Sequence, residues 1–236
     1  MQRSKSLISQ ALSTLKGNME RTGDPLGFRH TYWTEWTNGL GLPKGGKTVL
    51  LTGRMYQMLP YVIQTTDMVA SIKPFLAIKG FGKALSMGNR LAGETVIRLK
   101  ATGAKEIKAR GTRVLKGIVA ALNSVGGHPA YLYEAEPYSG VLLYDLGLEE
   151  DIAPHINKVY ELLKGHDVEE VITVDPHTTF MMKEIYPKYI ENYDIRVKHY
   201  LEILSERTGA FGNSNHKDLP KEFVMHDSCV MTRDLG

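Results

Sequence analysis

Short apolar and β-branched runs, each followed by a polar loop and a helix-period stretch, constrain this chain more than any other feature. The clearest are Thr48-Val49-Leu50-Leu51-Thr52-Gly53, Ala130-Tyr131-Leu132-Tyr133, Glu170-Val171-Ile172-Thr173-Val174 and Arg196-Val197-Lys198-His199. Strands spaced this widely do not pair through two-residue hairpins. Strand, loop, helix and strand in repetition predict an α/β chain with a parallel sheet and crossover helices. In such sheets, functional side chains gather in the loops beyond the strand C-termini. Those loops hold Gly53-Arg54-Met55, Glu136-Pro137-Tyr138-Ser139-Gly140 and Asp175-Pro176-His177-Thr178. A last strand, Phe223-Val224-Met225-His226, would deliver Asp227-Ser228-Cys229 to the same edge.

The helices between follow apolar spacing. Leu7, Ile8, Leu12, Leu15 and Met19 predict an amphipathic helix over Ser4–Glu20, ended by Gly23, Pro25 and Gly27. Tyr56–Ile72 predicts a second helix, with Pro60 near its start. Val114, Leu115, Ile118, Val119 and Leu122 line a third, stopped by Gly126-Gly127. Ile156, Val159, Tyr160 and Leu163 line a fourth, over Ala153–Lys164. Between Lys73 and Lys108, scattered glycines leave no clean stripe, and we expect broken helices there. Asp175 before Pro176 predicts an N-cap, because Asp accepts N–H bonds and proline suits the first helical turn.

Composition narrows the classes of function. The chain has 236 residues, 42% hydrophobic and 23% charged, with a net charge of +3. That is ordinary for a globular protein. Basic residues are mildly enriched from Lys79 to Lys116, without the interleaved aromatics of a nucleic-acid surface, so no nucleic-acid partner is expected. No apolar run is long enough to span a bilayer, and Met1–Lys16 has no signal-like apolar core. The one cysteine, Cys229, rules out an intrachain disulfide framework and fits a reducing compartment, so we expect a cytoplasmic protein.

Gly41-Leu42-Pro43-Lys44-Gly45-Gly46-Lys47-Thr48 satisfies the letters of a phosphate-binding loop. The mechanism needs a strand before the loop and a helix opening at the Lys-Thr, so that backbone N–H groups meet the phosphates. Here the strand follows the loop, which argues for a turn entering that strand.

The loop sequences carry a likeness. The chain resembles the cysteine-rich (CCG) domain proteins of the heterodisulfide reductase and glycolate oxidase iron–sulfur subunit families. Thr52-Gly53-Arg54-Met55 is similar to that family's Gly-Cys-Met entry. Glu136-Pro137-Tyr138-Ser139-Gly140 is similar to its Glu-Pro-Cys-Cys-Gly, and Asp175-Pro176-His177-Thr178 to its Cys-Pro-x-Cys. Arg54, Tyr138, Ser139, Asp175 and Thr178 then stand where the family has cluster-ligating cysteines. His226-Asp227-Ser228-Cys229 resembles the opening of a second copy, His-Asp-Pro-Cys. The likeness implies a Rossmann-like module over residues 48–205, with a helical insertion at about 73–108. It also implies an N-terminal helix and lead-in over 1–47, and a linker with the start of a second module over 206–236.

The resemblance implies an electron-transfer oxidoreductase of the heterodisulfide reductase type, its iron–sulfur cluster held by thiolates. Its partners would be other oxidoreductase subunits, ferredoxin-like or flavoprotein, or a C-terminal module. Five non-thiol side chains do not replace five thiolates on iron, so we expect no complete cluster on this chain alone, with Cys229 the remaining candidate ligand. Two readings of the polar loops stand beside this. In one, the side chains cap loops and helix starts. In the other, Arg54, Ser139, Asp175 and His177, with His199, His226 and Asp227, form the pocket of a small-molecule binder or enzyme, in which Arg54 pairs an anion and His177 or His199 acts as acid or base; Asp175, His177, His199, His226 and Asp227 are also of the types that hold zinc or iron.

Overall fold

The structure, a computed structural model, describes residues 2–72, 105–207, 209, 222, 224 and 228–235. The expected strand Phe223–His226, with His226 and Asp227, falls largely outside these residues, as does most of the expected insertion. The chain divides into two compact parts: Met1–Trp36 with Arg54–Val114, and Thr37–Gly53 with Leu115–Gly236.

The second part is built on a sheet of four parallel strands: β1 (Thr48–Leu51), β2 (Ala130–Tyr131), β3 (Glu170–Thr173) and β4 (Arg196–His199). Their order is β2-β1-β3-β4. Register pairs Val49 with Ala130 on one side and with Val171 on the other, and Ile172 with Lys198. Val49, Leu50 and Leu51 are all buried, as are Val171, Ile172 and Thr173. A continuous buried run is what a strand covered on both faces requires. The chain therefore has the α/β parallel-sheet architecture expected from sequence. The order 2-1-3-4 places a topological switch between β1 and β3, where doubly wound sheets open a crevice at the strand C-termini.

Several boundaries differ from the sequence reading. β2 stops at Tyr131, because Leu132 turns helical and Tyr133 takes a left-handed φ of 52°. Tyr133 is anchored there by its hydroxyl, which donates to the Leu42 carbonyl at 2.7 Å. The helix expected from Ala153 begins at Glu149. Its first turn carries Glu149, Glu150 and Asp151, whose charge suits a helix N-terminus, and Pro154 is absorbed within the helix. The glycine-rich stretch expected to run to Lys108 gives way at Lys105 to a regular helix ending at Ser124, and no glycine falls within its first turn. The segment Gly41–Thr48 keeps the order read from sequence: no helix opens at Lys47-Thr48, and the strand follows. Residues 43–45 instead pair along β2, through Tyr131 N–H to Pro43 O and Gly45 N–H to Tyr131 O.

In the first part, α1 (Gln2–Thr22) buries Leu15 and Met19. α2 (Met55–Ile72) contains Pro60, which has no N–H to donate to the Tyr56 carbonyl one turn back. Gly111, near the start of α3 (Lys105–Ser124), lies against that carbonyl, and a Cβ at Gly111 would sit 2.8 Å from it. Further along α3, Leu115, Ile118, Val119 and Leu122 are buried in the second part, matching the stripe read from sequence.

The remaining helices belong to the second part. They are α4 (Val141–Asp145), α5 (Glu149–Gly165), α6 (Pro176–Phe180), α7 (Tyr186–Tyr189), α8 (Tyr200–Glu206) and α9 (Cys229–Arg233). Between α6 and α7, Met181–Ile185 forms a π-turn, in which Tyr186 N–H reaches back to Met181 O. Pro187 removes the next α-type donor, which accounts for a loosened turn at this point.

Candidate functional site

Two constellations of buried polar side chains stand out, one in each compact part. The first surrounds Arg54. Its backbone has a left-handed φ of 60°, uncommon for a residue with a side chain. The guanidinium is 1% exposed and donates Nη1–H to Asp24 Oδ2 at 2.7 Å, with Asp24 fully buried. Nη2 lies 3.2 Å from His30 Nδ1, and His30 Nε2 lies 2.6 Å from the Thr22 carbonyl. A guanidinium only donates, so Nδ1 accepts and Nε2 carries the ring hydrogen. Trp33 presents its face to the Arg54 carbon at 5.9 Å. Phe28 stacks on Trp33, and Tyr61 meets both rings edge-on. Asp24 Oδ1 accepts from the N–H groups of Leu26 and Phe28, which forms the lead-in turn around the carboxylate.

The second constellation lies at the C-terminal ends of β1, β2 and β3. Glu136 is fully buried. Its Oε1 accepts from Thr52 N–H and from Thr52 Oγ1, and its Oε2 accepts from the Tyr131 hydroxyl. It therefore ties the exit of β1 to the exit of β2 with three neutral donors. Beyond it, the Thr178 hydroxyl donates to Ser139 Oγ at 3.3 Å, and the Tyr186 hydroxyl donates to Ser139 O at 3.0 Å. Asp175 caps α6 by accepting Thr178 N–H on Oδ1 at 2.9 Å, with Pro176 in the first turn, as the sequence predicted. Burial raises the Asp175 carboxyl above the ordinary carboxylate range, against the Thr178 hydrogen bonds and the His177 charge, which act the other way. Gly53, with φ 61°, packs directly on Asp175 and Thr178, and a Cβ there would overlap both side chains. Gly140, with φ 83°, makes room for the His155 ring, whose Nε2 donates to Tyr138 O at 2.7 Å.

The structure thus brings Gly53, Ser139, Asp175 and Thr178 together. Tyr138 is buried nearby in chain, its hydroxyl accepting from Leu142 N–H. His177 is half-buried on α6. His199 is buried, and its Nε2 donates to the Val174 carbonyl at 3.2 Å while Nδ1 accepts from Leu201 N–H. Burial lowers its pKa below the ordinary histidine value. His199 therefore ties the end of β3 to the start of α8 rather than opening into a pocket. Cys229 is exposed at the start of α9, which packs on α6. His226 and Asp227 lie outside the described residues. Among the described residues, no three His, Cys, Asp or Glu side chains are grouped to hold a metal ion.

Sequence reading missed the parts played by Asp24, His30, Glu136 and Tyr186. Glu136 had one signal, an acidic residue before proline at a strand end. Asp24 sat in plain view within a turn motif, but nothing local shows that its partner is thirty positions away at Arg54.

Part of the chain is similar to two curated oxidoreductases. It is 31% identical over 124 residues to "EtfAB:quinone oxidoreductase" of Syntrophomonas wolfei subsp. wolfei (strain DSM 2245B / Goettingen), covering 52% of this chain and 17% of that protein. It is 29% identical over 112 residues to "Probable iron-sulfur-binding oxidoreductase FadF" of Bacillus subtilis (strain 168), covering 48% of this chain and 16% of that protein. The matched stretches span about a sixth of these curated relatives. No family model matches the chain, and no solved structure matches it significantly. No helix among the described residues is long and apolar enough to cross a membrane.

The donor chemistry does not fit an iron–sulfur cluster on this chain. Such clusters take about four thiolates, with imidazole replacing some in a minority of centres. The whole sequence holds one cysteine, and the loops beyond β1, β2 and β3 offer guanidinium, hydroxyl and carboxyl groups instead.

Proposed function

We propose that this chain serves an iron–sulfur oxidoreductase as a cluster-free CCG-type module, of the heterodisulfide reductase kind. In this reading residues 48–205 form the module, 1–47 its lead-in, and 206–236 the entry to a second module. The chain scaffolds electron transfer in the cytoplasm and leaves the redox centre to a ferredoxin-like or flavoprotein subunit, or to a further module to which Cys229 contributes. The names of the two relatives support an oxidoreductase setting.

The observation that carries this reading is the state of Arg54. It is 1% exposed, bound to Asp24, beside His30 and under Trp33. A side chain committed in this way stabilises its own loop and is not offered to a ligand. The same observation weighs against a small-molecule pocket that uses Arg54 to hold an anion.

The test is anaerobic reconstitution with iron and sulfide, followed by visible absorption and iron counting. The chain alone should show no stoichiometric cluster absorption, and substituting Cys229 should change nothing. A full cluster bound to the isolated chain would overturn the reading. Addition of a ferredoxin-like or flavoprotein partner should give a complex on gel filtration, and failure with both classes would also count against it.

A further inference from the structure

We propose that the Asp175 carboxyl is a buried proton-binding site that latches the loops beyond β1, β2 and β3: filled, it holds them closed; emptied, it loosens them. The inference is independent of the oxidoreductase reading, since it needs no partner and no cofactor.

The geometry carries it. The Asp175 side chain is almost fully buried, 4% exposed at the residue level. Oδ1 is engaged as the N-cap, accepting Thr178 N–H. Oδ2 is buried without a hydrogen-bond partner among the described residues. An ionised carboxylate spreads its charge over both oxygens, and burying one without a donor is costly. Oδ2 and Thr178 Oγ1 both lie over the Gly53 Cα, at the place a Cβ would take. The Thr178 hydroxyl gives its own hydrogen to Ser139 Oγ and so keeps lone pairs able to accept.

A proton on Oδ2 would complete a chain from Asp175 through Thr178 to Ser139. That chain joins the strand exits of β3 and β2 over the glycine at the exit of β1. Tyr186 holds the far end, donating to Ser139 O. Without the proton, Oδ2 can draw a hydrogen from the Thr178 hydroxyl only by taking it from Ser139, which breaks the link to the exit of β2; otherwise the carboxylate needs water, which requires Gly53 or α6 to move.

Other charged and titratable groups stand on the elements around it. His177 stands on α6 itself, and its charge favours the carboxylate. The exits of β1 and β2 bring Gly53 and Ser139, which do not titrate here, together with the buried Glu136 and Tyr138; β4, packed on α6, brings the buried His199, whose Nε2 donates to the carbonyl of Val174 beside Asp175; and Tyr186 enters through Ser139. α9, packed on α6, carries Cys229 and Arg233, both exposed. Burial, the largest influence, favours the protonated form. A folded pKa raised above the ordinary 3.8 gives stability that is fully present below that pH. It is lost as pH rises through the folded value.

The experiment uses the whole chain. Carboxyl carbon shifts are followed by NMR across pH in aspartate-labelled protein, which excludes the glutamates. Backbone hydrogen exchange is measured at Gly53 and Thr178 in the wild type and in Asp175→Asn. Asparagine keeps the capping oxygen and places an N–H where the proposed O–H lies. One aspartate resonance should titrate well above the exposed aspartates and vanish in Asp175→Asn. Protection at Gly53 and Thr178, corrected for intrinsic exchange, should fall more than tenfold through that titration in the wild type and stay level in the variant. An aspartate set that titrates entirely in the ordinary range would overturn the proposal. So would protection that falls equally in both proteins. Should the variant fail to fold, a high-titrating resonance and coincident loss of protection in the wild type still decide it.

Discussion

The two constellations solve the same problem by opposite means. Around Arg54, a buried charge is neutralised by another charge, Asp24. Around Glu136, a buried carboxyl accepts hydrogen bonds from neutral donors, the Thr52 N–H, the Thr52 hydroxyl and the Tyr131 hydroxyl. A charge pair depends on both partners being present, and removing one leaves the other buried and uncompensated. A carboxyl ringed by N–H and O–H groups distributes its dependence over several smaller bonds. The first arrangement is therefore brittle to any one change at its centre, and the second is graded.

Substitution should expose that contrast, starting with the largest effect. Arg54→Ala strands Asp24 and should cost about 3–5 kcal/mol of unfolding free energy, measured in denaturant. Arg54→Lys should recover only part, because one ammonium cannot serve Asp24 and His30 in the same geometry. Gly53→Ala should cost about 2–4 kcal/mol, combining the left-handed φ with overlap on Asp175 and Thr178. Glu136→Gln should be milder, about 1–3 kcal/mol, since the amide keeps one acceptor oxygen and leaves one donor unserved. If Glu136→Gln proves as damaging as Arg54→Ala, the contrast between brittle and graded burial is wrong.

The smallest effect is a pH dependence at His199. Its pKa is lowered by burial, so its neutral form is the one the fold holds. Its contribution is present above the unfolded value near 6.5 and is lost as pH falls through the lower folded value. Stability of the wild type should therefore drop as pH goes below about 6.5. His199→Asn, which keeps a capping oxygen, should flatten that part of the curve, and an unchanged curve would remove His199 from the account.

Much of the architecture was legible because it is local. The buried runs of β1 and β3, the stripe Leu115–Leu122 and the Asp175-Pro176 cap each announce themselves within a few residues. The errors at Leu132-Tyr133 and Glu149 arose where a tertiary bond, Tyr133 to Leu42, or a charged first turn overrode propensity. The partners of the buried groups were not legible at all. Thr52 and Glu136 are 84 positions apart, and Ser139 and Thr178 are 39 apart. Spacing of that kind is set by topology, and no window along the chain contains it. The loops themselves were singled out from sequence, but not what their side chains would touch.

The Arg54–Asp24 pair also bears on how this protein can change over generations. A neutral residue at either position alone leaves its partner charged in the dark, so each single step passes through a weakened chain. The two positions should therefore vary together or not at all. A population of descendants would keep both charges, or lose both, and rarely show the halfway forms. With such a pair buried beneath Trp33, on which Phe28 and Tyr61 pack, a change to a neutral side chain at position 54 calls for a second, coordinated substitution at position 24.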